Sequence, residues 1–425
     1  MIGIFVGLLL LVILAYRGYS IIWVAPICAT VVAIFGGLDL LPSYTELYMS
    51  GLVEFTKSWF PIFLLGAMFG KVMEVSGSAA SVAEQLVRLI GKSNAILAIV
   101  IGCAVLTYGG ISLFVVVFAM YPLTLALFKE ADIPRKLIPG TIALGAFTFT
   151  MTALPGSPQL NNLIPTKYFG TTPMAAPIIG ITSAAIMLGL GYWYLRSRQR
   201  AYQKADLHFE EGVSITTDHK AMPHFIVAIL PLLTVVVTLN VCKLPIVLSL
   251  LLGVVLTMIL NYQKMSLFAS ACNKGAEGAV QAILNTSAAV GFGTVVKAVP
   301  GFTVLVNALL GMNASPLISE SLAVTMLAGA TGSSSGGMGI ALEALGPKYM
   351  EIAGSLHIDP EVFHRIAAIA SGGLDSLPHC GAVITLLAVT GMSHKDSYKD
   401  IGMVTCVIPL LATVVAVMMG MLGIV

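Results

Sequence analysis

The chain has 425 residues, of which 57% are hydrophobic and only 10% are charged, and its formal net charge is +2. Soluble domains carry about 25% charged residues, so the composition excludes a single soluble domain, and the small net charge does not indicate nucleic-acid binding. Apolar windows of roughly 18 residues or more, the length that crosses a bilayer as a helix, recur along the sequence. The sequence therefore predicts an all-α polytopic membrane protein.

The first predicted element is the apolar segment 2–16, which ends before Arg17. It has neither a basic start nor a small-residue cleavage site, so we interpret it as the first membrane span and not as a removed signal peptide. The six cysteines are scattered without the spacing of metal ligands or of a disulfide framework. We therefore expect no metal and no cofactor.

Two polar interruptions follow in the first half of the chain. TYGGIS at 107–112 lies between short apolar arms, as at the tip of a re-entrant hairpin, and TALPGSPQLNN at 152–162 ends the apolar run 138–151. Lipid offers no hydrogen bonds, so an unpaired backbone group at membrane depth costs several kcal/mol. We therefore expect both interruptions to face protein or a watery cavity.

A long polar segment at 196–222 divides the chain almost in half. It contains Arg196, Arg198 and Arg200, and cytoplasmic loops of membrane proteins carry an excess of basic residues. The sequence therefore predicts a first membrane repeat at 1–195, a cytoplasmic linker at 196–222 and a second membrane repeat at 223–425.

The second half repeats the pattern of the first. FGKVMEVSG ends at Gly77 and FGTVVKAVPG ends at Gly301, and the interval between these glycines equals that between Thr107 and Thr331. The second pair of interruptions is TGSSSGGMG at 331–339 and SGGLDSLPHCG at 371–381. With an odd number of crossings in each half, the two copies would be inverted in the membrane, which is a common arrangement in transporters.

The interruptions predict a binding site for an organic anion. A broken helix exposes free N–H groups where its second piece begins, with a partial positive charge that suits a carboxylate. The alternative is that glycine and proline only kink these helices or allow close packing, but four motifs in two matched pairs favour a site. The residues predicted to bind the substrate are Thr107, Tyr108, Gly109, Gly110, Ser112, Ser157, Gln159, Asn161, Asn162, Ser333, Ser334, Ser335, Gly336, Ser376 and His379.

Asp375 is the main candidate for proton coupling because it lies inside an interruption and has no Lys or Arg beside it in the sequence. Burial disfavours the charged form of a carboxyl group, which suits a proton carrier. His379 can bind a carboxylate when protonated or relay a proton. The structural alternatives are that Asp375 caps freed backbone N–H groups and that His379 is a satisfied core residue.

The energy source is predicted to be an ion gradient. Neither a Walker A loop nor an H-E-x-x-H motif occurs, so ATP-driven pumping and zinc catalysis have no support. A channel would be expected to show a filter or a ring of charges. An intramembrane enzyme would need a reactive cluster, for which the sequence offers only Asp375 with His379.

Four motifs resemble those of the gluconate/proton symporter (GntP-type) family within the ion transporter superfamily, and the resemblance runs nearly from end to end. They are LTYGGISLFVVVFAMYPL, TALPGSP, ATGSSSGGMG and SGGLDSLPHCGA. The resemblance implies inverted repeats with two re-entrant hairpins, proton symport, a hydroxy-carboxylate substrate, a homodimer and the bacterial cytoplasmic membrane.

One branch of that family is closer than the others. Gluconate carriers have an acidic residue in the first hairpin, where this chain has Gly109 and Gly110. The pattern is similar to the branch for D-3-hydroxybutyrate, a smaller anion whose fewer hydroxyl groups need fewer polar partners. We therefore expect a short hydroxy-monocarboxylate, with a gluconate-like sugar acid as the alternative.

Overall fold

The computed structural model describes residues 2–17, 19–91, 94–210, 222–304, 315–378 and 380–425, and within these ranges it contains helices and no strands. The first half holds α1 (Ile2–Tyr16), α2 (Ile21–Gly36), α3 (Leu40–Val75), α4 (Ser78–Ile90), α5 (Ala95–Tyr108), α6 (Leu113–Glu130), α7 (Ile138–Ala146), α8 (Phe149–Thr152), α9 (Leu160–Phe169) and α10 (Pro177–Lys204). The second half holds α11 (Phe225–Asn240), α12 (Ile246–Leu260), α13 (Tyr262–Ala298), α14 (Pro316–Thr331), α15 (Ser334–Leu356), α16 (Pro360–Ser371), α17 (Gly381–Thr390) and α18 (His394–Met421).

Several helices have the length and surface of membrane spans. The helices α3, α6, α10, α13 and α18 are long and apolar enough to cross a bilayer. Large apolar side chains are exposed on them, such as Ile181 and Trp193 on α10 and Leu411 on α18. So much exposed apolar surface is unusual on a soluble protein, and lipid would cover it here. The all-α polytopic architecture predicted from the sequence is confirmed.

The two halves contain counterpart helices in the same order. Each helix from α11 to α18 begins at a nearly constant interval after a helix of the first half. The largest helix interface, between α3 and α13, joins two counterparts, and α10 packs on its counterpart α18. The duplication suggested by short sequence motifs therefore extends over most of both halves.

The counterpart helices α3 and α13 run antiparallel. Gly51, near the start of α3, packs against Thr294 near the end of α13, while Gly275 near the start of α13 packs against the backbone of Met68 near the end of α3. A two-fold axis that crosses the helices produces this arrangement, and such an axis relates inverted repeats.

The pair α10 and α18 is antiparallel as well. Arg198, near the end of α10, forms a 2.8 Å ion pair with Asp400 near the start of α18. At the opposite ends, the Ala176 N–H before α10 donates to Glu361 of α16 at 2.9 Å. The next residue, Val362, packs against Gly420 near the end of α18. Both pairs support the inverted arrangement expected from the sequence.

The segment after α10, the loop between α6 and α7 and the start of α18 lie on the same side of the molecule. His208, beyond α10, bonds Asp132 at 2.6 Å, and the Ser397 hydroxyl donates to the Lys136 carbonyl at 2.9 Å. We call this the linker side and the opposite one the far side. The excess of basic residues leads us to expect the linker side in the cytoplasm. Helix α10 runs to Lys204, past the boundary expected at residue 195, and residues 211–221 of the expected linker lie outside the described residues.

Two pairs of consecutive helices pack together as helical hairpins, and each pair has a short first arm. At 1.5 Å per residue, the 14-residue helix α5 is about 21 Å long, shorter than the roughly 30 Å hydrocarbon core. It packs against α6 as hairpin 1, and its counterpart α14 packs against α15 as hairpin 2. They correspond in position to the re-entrant hairpins that the sequence predicts.

Hairpin 2 depends on close backbone contact at Gly337. A Cβ atom there would lie 2.1 Å from the backbone nitrogen of Ala328, whereas a Cβ at Gly354 of the same helix meets nothing within 4 Å. Gly337→Ala is therefore expected to lower the stability by about 1–3 kcal/mol, the usual cost of overpacking. The control Gly354→Ala is expected to be neutral or to stabilise by roughly 0.5–1 kcal/mol. Thermal melting of both variants checks this, and equal Tm values would contradict it.

Candidate functional site

All four interruptions predicted from the sequence separate helices in the structure. The first tip, residues 109–112, joins α5 to α6, and the second tip, residues 332–333, joins α14 to α15. The second tip is narrower than the predicted segment 331–339, because residues 334–339 form the first turns of α15. The first break, residues 147–159, separates α7 from α9 and contains α8, and the second break, residues 372–380, separates α16 from α17. Each interruption is followed by a new helix, whose first N–H groups have no partners within that helix and carry partial positive charge.

The first tip contacts the first break. The Gln159 side-chain amide donates to the Thr107 carbonyl at 2.6 Å, and the Tyr108 hydroxyl donates to the Pro155 carbonyl at 2.9 Å. Gly110 has φ +97°, which favours glycine, and a Cβ there would approach Pro158 to 3.1 Å. The tip is therefore held against the break through the end of α5 and through Gly110.

The second tip contacts the second break in the same way. Asp375 in the break is 8% exposed, accepts a 3.1 Å hydrogen bond from the Ser376 hydroxyl, and also interacts with the side chain of Ser334, the first residue of α15. Leu374 packs against Gly329 of α14. Asp375 thus lies at the junction of hairpin 2 and the broken helix.

The two breaks also contact each other. The Asn161 side-chain amide donates to the Ser371 hydroxyl at 2.8 Å, and Thr152 of α8 packs against the backbone of Gly372. Thr152 is the counterpart of Asp375, which follows Gly372 by three residues in the second break. The contact between Thr152 and Gly372 therefore joins equivalent parts of the two repeats. The four interruptions therefore form one cluster, which we call the central cluster.

Arg365 was not predicted from the sequence, and it joins the first break to α9 and to the loop between α9 and α10. Its guanidinium is 0% exposed and donates five hydrogen bonds of 2.7–3.3 Å. The acceptors are the backbone carbonyls of Ala153, Pro173 and Ala175 and the side-chain oxygen of Asn162. This arginine supplies the partners that the unwound backbone lacks, as the membrane environment requires.

The same face of α16 fixes the loop between α9 and α10. His364 Nδ1 lies 2.6 Å from the Thr171 hydroxyl, and Glu361 accepts from the Ala176 N–H. A comparison of the two halves of the sequence would have singled out Arg365. The counterpart of Arg365 in the first half is Ile142, so the charge is not needed to build this helix.

Several predicted binding side chains are occupied by the protein. The Asn162 amide donates to the carbonyls of Ser157 and Pro173 at 2.8 Å, and the Ser333 hydroxyl caps α15 by accepting from the Gly336 N–H at 3.1 Å. With the Gln159 and Asn161 bonds above, these contacts position the helix starts. The side-chain amides that were predicted to bind a ligand at α9 are therefore bonded to the protein itself.

The other predicted binding residues differ in burial and in hydrogen bonding. The Thr107 hydroxyl is buried and has no hydrogen-bond partner in the described part of the chain. Ser112 and Ser335 are partly exposed at the tips, and Gly109 packs against Leu232. His379 lies outside the described residues, so the structure leaves its predicted roles as predictions.

The comparisons with known proteins agree with this architecture. A family model described as GntP family permease matches residues 1–245. The uncharacterized transporter YxjC of Bacillus subtilis strain 168 is 42% identical over 445 residues, covering 94% of each chain. The YdaH transporter of Alcanivorax borkumensis, whose crystal structure is described as revealing an unusual topology, matches with a TM-score of 0.60 and 14% identity over 88% of each chain. The last likeness concerns the fold alone.

Proposed function

The chain belongs to the GntP family of permeases and is therefore a transporter and not an enzyme; from that premise we propose that it imports a short hydroxy-monocarboxylate by proton symport. D-3-hydroxybutyrate is the proposed substrate, and the bacterial cytoplasmic membrane the proposed location. The observation that carries the proposal is the central cluster, in which four interrupted segments meet and each one leads into a helix N-terminus.

The electrostatics of the cluster favour an anion. The N-termini of α6, α9, α15 and α17 each carry a partial positive charge from the peptide dipoles, and such ends bind carboxylates in other broken-helix transporters. The buried guanidinium of Arg365 adds a full positive charge beside the start of α9, where it bonds Asn162 at 2.8 Å. Because the five guanidinium bonds go to the protein, Arg365 attracts the anion by charge and does not contact it.

The shape of the first tip supports a small substrate. A Cβ at Gly109 would meet Leu232 at 2.5 Å, and Gly110 lies against Pro158 with positive φ. The acidic side chain that gluconate carriers have in this hairpin does not fit without displacing these neighbours. A substrate with one hydroxyl group needs fewer polar partners than a sugar acid, and Thr107 and Ser334 supply hydroxyl groups for it.

Asp375 is the proposed proton carrier. It lies in the second break beside Ser334 and Ser376, so a substrate held at the start of α15 or α17 would be close to it. A carboxylate so close to an anionic substrate costs electrostatic energy that protonation removes. The bound proton and the anion would then cross the membrane together.

The proposal is tested in proteoliposomes that contain the purified protein. We expect labelled D-3-hydroxybutyrate to exchange against unlabelled acid inside, and an inward proton gradient to concentrate it until an uncoupler is added. Counterflow separates a carrier from a channel or an enzyme, which do not exchange substrate. Competition decides the substrate: block by gluconate without block by D-3-hydroxybutyrate would favour a sugar-acid carrier.

A further inference from the structure

Hairpin 2 contains a buried carboxyl group that the proposed mechanism does not use. Glu320, in the second turn of α14, is 0% exposed. Neither of its carboxyl oxygens has a hydrogen-bond partner among the residues that the structure describes. A carboxylate in such surroundings would lose its hydration without a compensating hydrogen bond, so a charge on this group would be costly.

The fold does not need an acid at this position. The counterpart of Glu320 in hairpin 1 is Ile96, which precedes it by the same interval that separates Thr107 from Thr331 and is also 0% exposed. Leaving a buried polar group unpaired costs free energy relative to an apolar side chain of similar shape. Glu320 therefore destabilises an arm that its own repeat builds with isoleucine, which indicates a role other than packing.

Two polar groups beside Glu320 are bonded to each other. The hydroxyl groups of Ser319 and Tyr349 form a 3.0 Å hydrogen bond, and Tyr349 is the ionisable group of α15 that faces Glu320. The ionisable residues on α16 are Glu361, His364 and Arg365, which bond the segment 153–176. Among the residues that the structure describes, no cation therefore pairs with Glu320, and only a bound proton would neutralise its carboxylate.

The remaining helices packed on α14 are α1 and α18. The sequence of α1 contains no charged residue, and the charged residues of α18 lie between His394 and Asp400. Those are at the linker side, whereas α18 meets α14 through the contact of Gly420 with Leu317. Neither helix therefore brings a charge to Glu320.

The position of Glu320 suits a path to the central cluster. It is three residues after Leu317, so it lies about 4.5 Å along the axis from the far-side contact with Gly420. The tip of the same hairpin begins twelve residues further on and leads into Ser334 beside Asp375. Movement of hairpin 2 would thus change the surroundings of both carboxyl groups.

We propose that Glu320 is a second proton-binding residue of the transport cycle, located between the far side and the central cluster. This inference rests on the proposed proton symport. When hairpin 2 opens, the carboxylate takes a proton from water on the far side and an O–H bond forms. That bond breaks when a later conformation gives the carboxyl group access to water on the path to the linker side.

The first test needs no substrate. Infrared spectra of the purified protein are expected to show the carbonyl band of a protonated carboxylic acid near neutral pH, and part of it should disappear in Glu320→Gln. The matched control is Glu351→Gln, which removes an exposed glutamate paired with Lys348 and should leave the band unchanged. An unaltered band in Glu320→Gln would overturn the proposal.

The second test measures coupling in proteoliposomes with labelled D-3-hydroxybutyrate. Glu320→Gln is expected to lower gradient-driven accumulation by about tenfold or more while counterflow stays within about twofold, because only the proton-linked step is lost. Accumulation at the wild-type level would overturn the proposal. If the wild-type protein does not exchange this acid, the proposed substrate is wrong, and the infrared result alone decides the role of Glu320.

A second variant guards against misfolding. Glu320→Met is apolar and of similar length, so it should melt at a higher temperature than the wild type, since it removes an unpaired buried group. It should lose accumulation as Glu320→Gln does. A lower Tm would show that Glu320 has a structural partner and would contradict the inference.

Discussion

Replacing Arg365 by lysine is expected to cause the largest loss of stability among single conservative changes at the central cluster. The arginine bonds three backbone carbonyls and Asn162, whereas a lysine has three donors on one nitrogen and lacks the planar fork. At least one or two buried acceptors would lose their partners, at about 1–3 kcal/mol each. Arg365→Met is expected to cost more, because all five bonds disappear.

The measurement is the Tm of the purified variants, together with substrate exchange at a temperature where each is folded. Arg200→Lys is the matched control, because Arg200 is exposed on α10 and should melt like the wild type. We expect Arg365→Lys to exchange more slowly even when folded, since the start of α9 is misplaced. A Tm equal to that of Arg200→Lys would show that the first break and the loop after α9 do not depend on the guanidinium.

Asp375→Asn is expected to have the largest effect on transport with a folded protein. The amide keeps the shape of the side chain and can still bond Ser334 and Ser376, which surround Asp375, but it does not exchange a proton. Gradient-driven uptake should therefore fall to the uncoupled level, while exchange of substrate across the membrane remains measurable.

The two halves of that expectation are measured in the same proteoliposomes. Uptake driven by an inward proton gradient reports coupling, and counterflow at equal pH reports binding and translocation. Ser376→Ala serves as a comparison, because it removes one hydrogen bond to Asp375 and keeps the carboxyl group. If Asp375→Asn concentrates substrate normally, the proton is carried elsewhere.

The sequence predicted the outline of the fold because helix interruptions are local features. The segments 107–112, 152–162, 331–339 and 371–381 are rich in glycine, proline and small polar residues, which disfavour a continuous helix, and each of them contains a helix end. The repeat offset then indicated that the interruptions form matched pairs, and the inverted course of α3 and α13 agrees with it. The small helix α8 was not anticipated, because four residues carry no periodic signal.

The site was predicted less completely because its contacts join distant parts of the chain. Gln159, Asn161 and Asn162 were expected to bind the ligand, and the structure instead shows their amides bonded to the protein. Arg365 reaches carbonyls far away in the sequence, such as that of Ala175, a pairing that no local pattern reveals. Comparison of the halves would have marked Arg365 and Glu320, since their counterparts are both isoleucines.

The proposed function depends on one claim, that a substrate carboxylate binds at the helix N-termini of the central cluster. A structure of the protein in lipid nanodiscs with D-3-hydroxybutyrate tests this most directly. We expect density for the acid within hydrogen-bonding distance of the first N–H groups of α6, α9, α15 or α17, with Asp375 beside it. Density for the acid at another place in the protein, with the central cluster unchanged and empty, would contradict the claim.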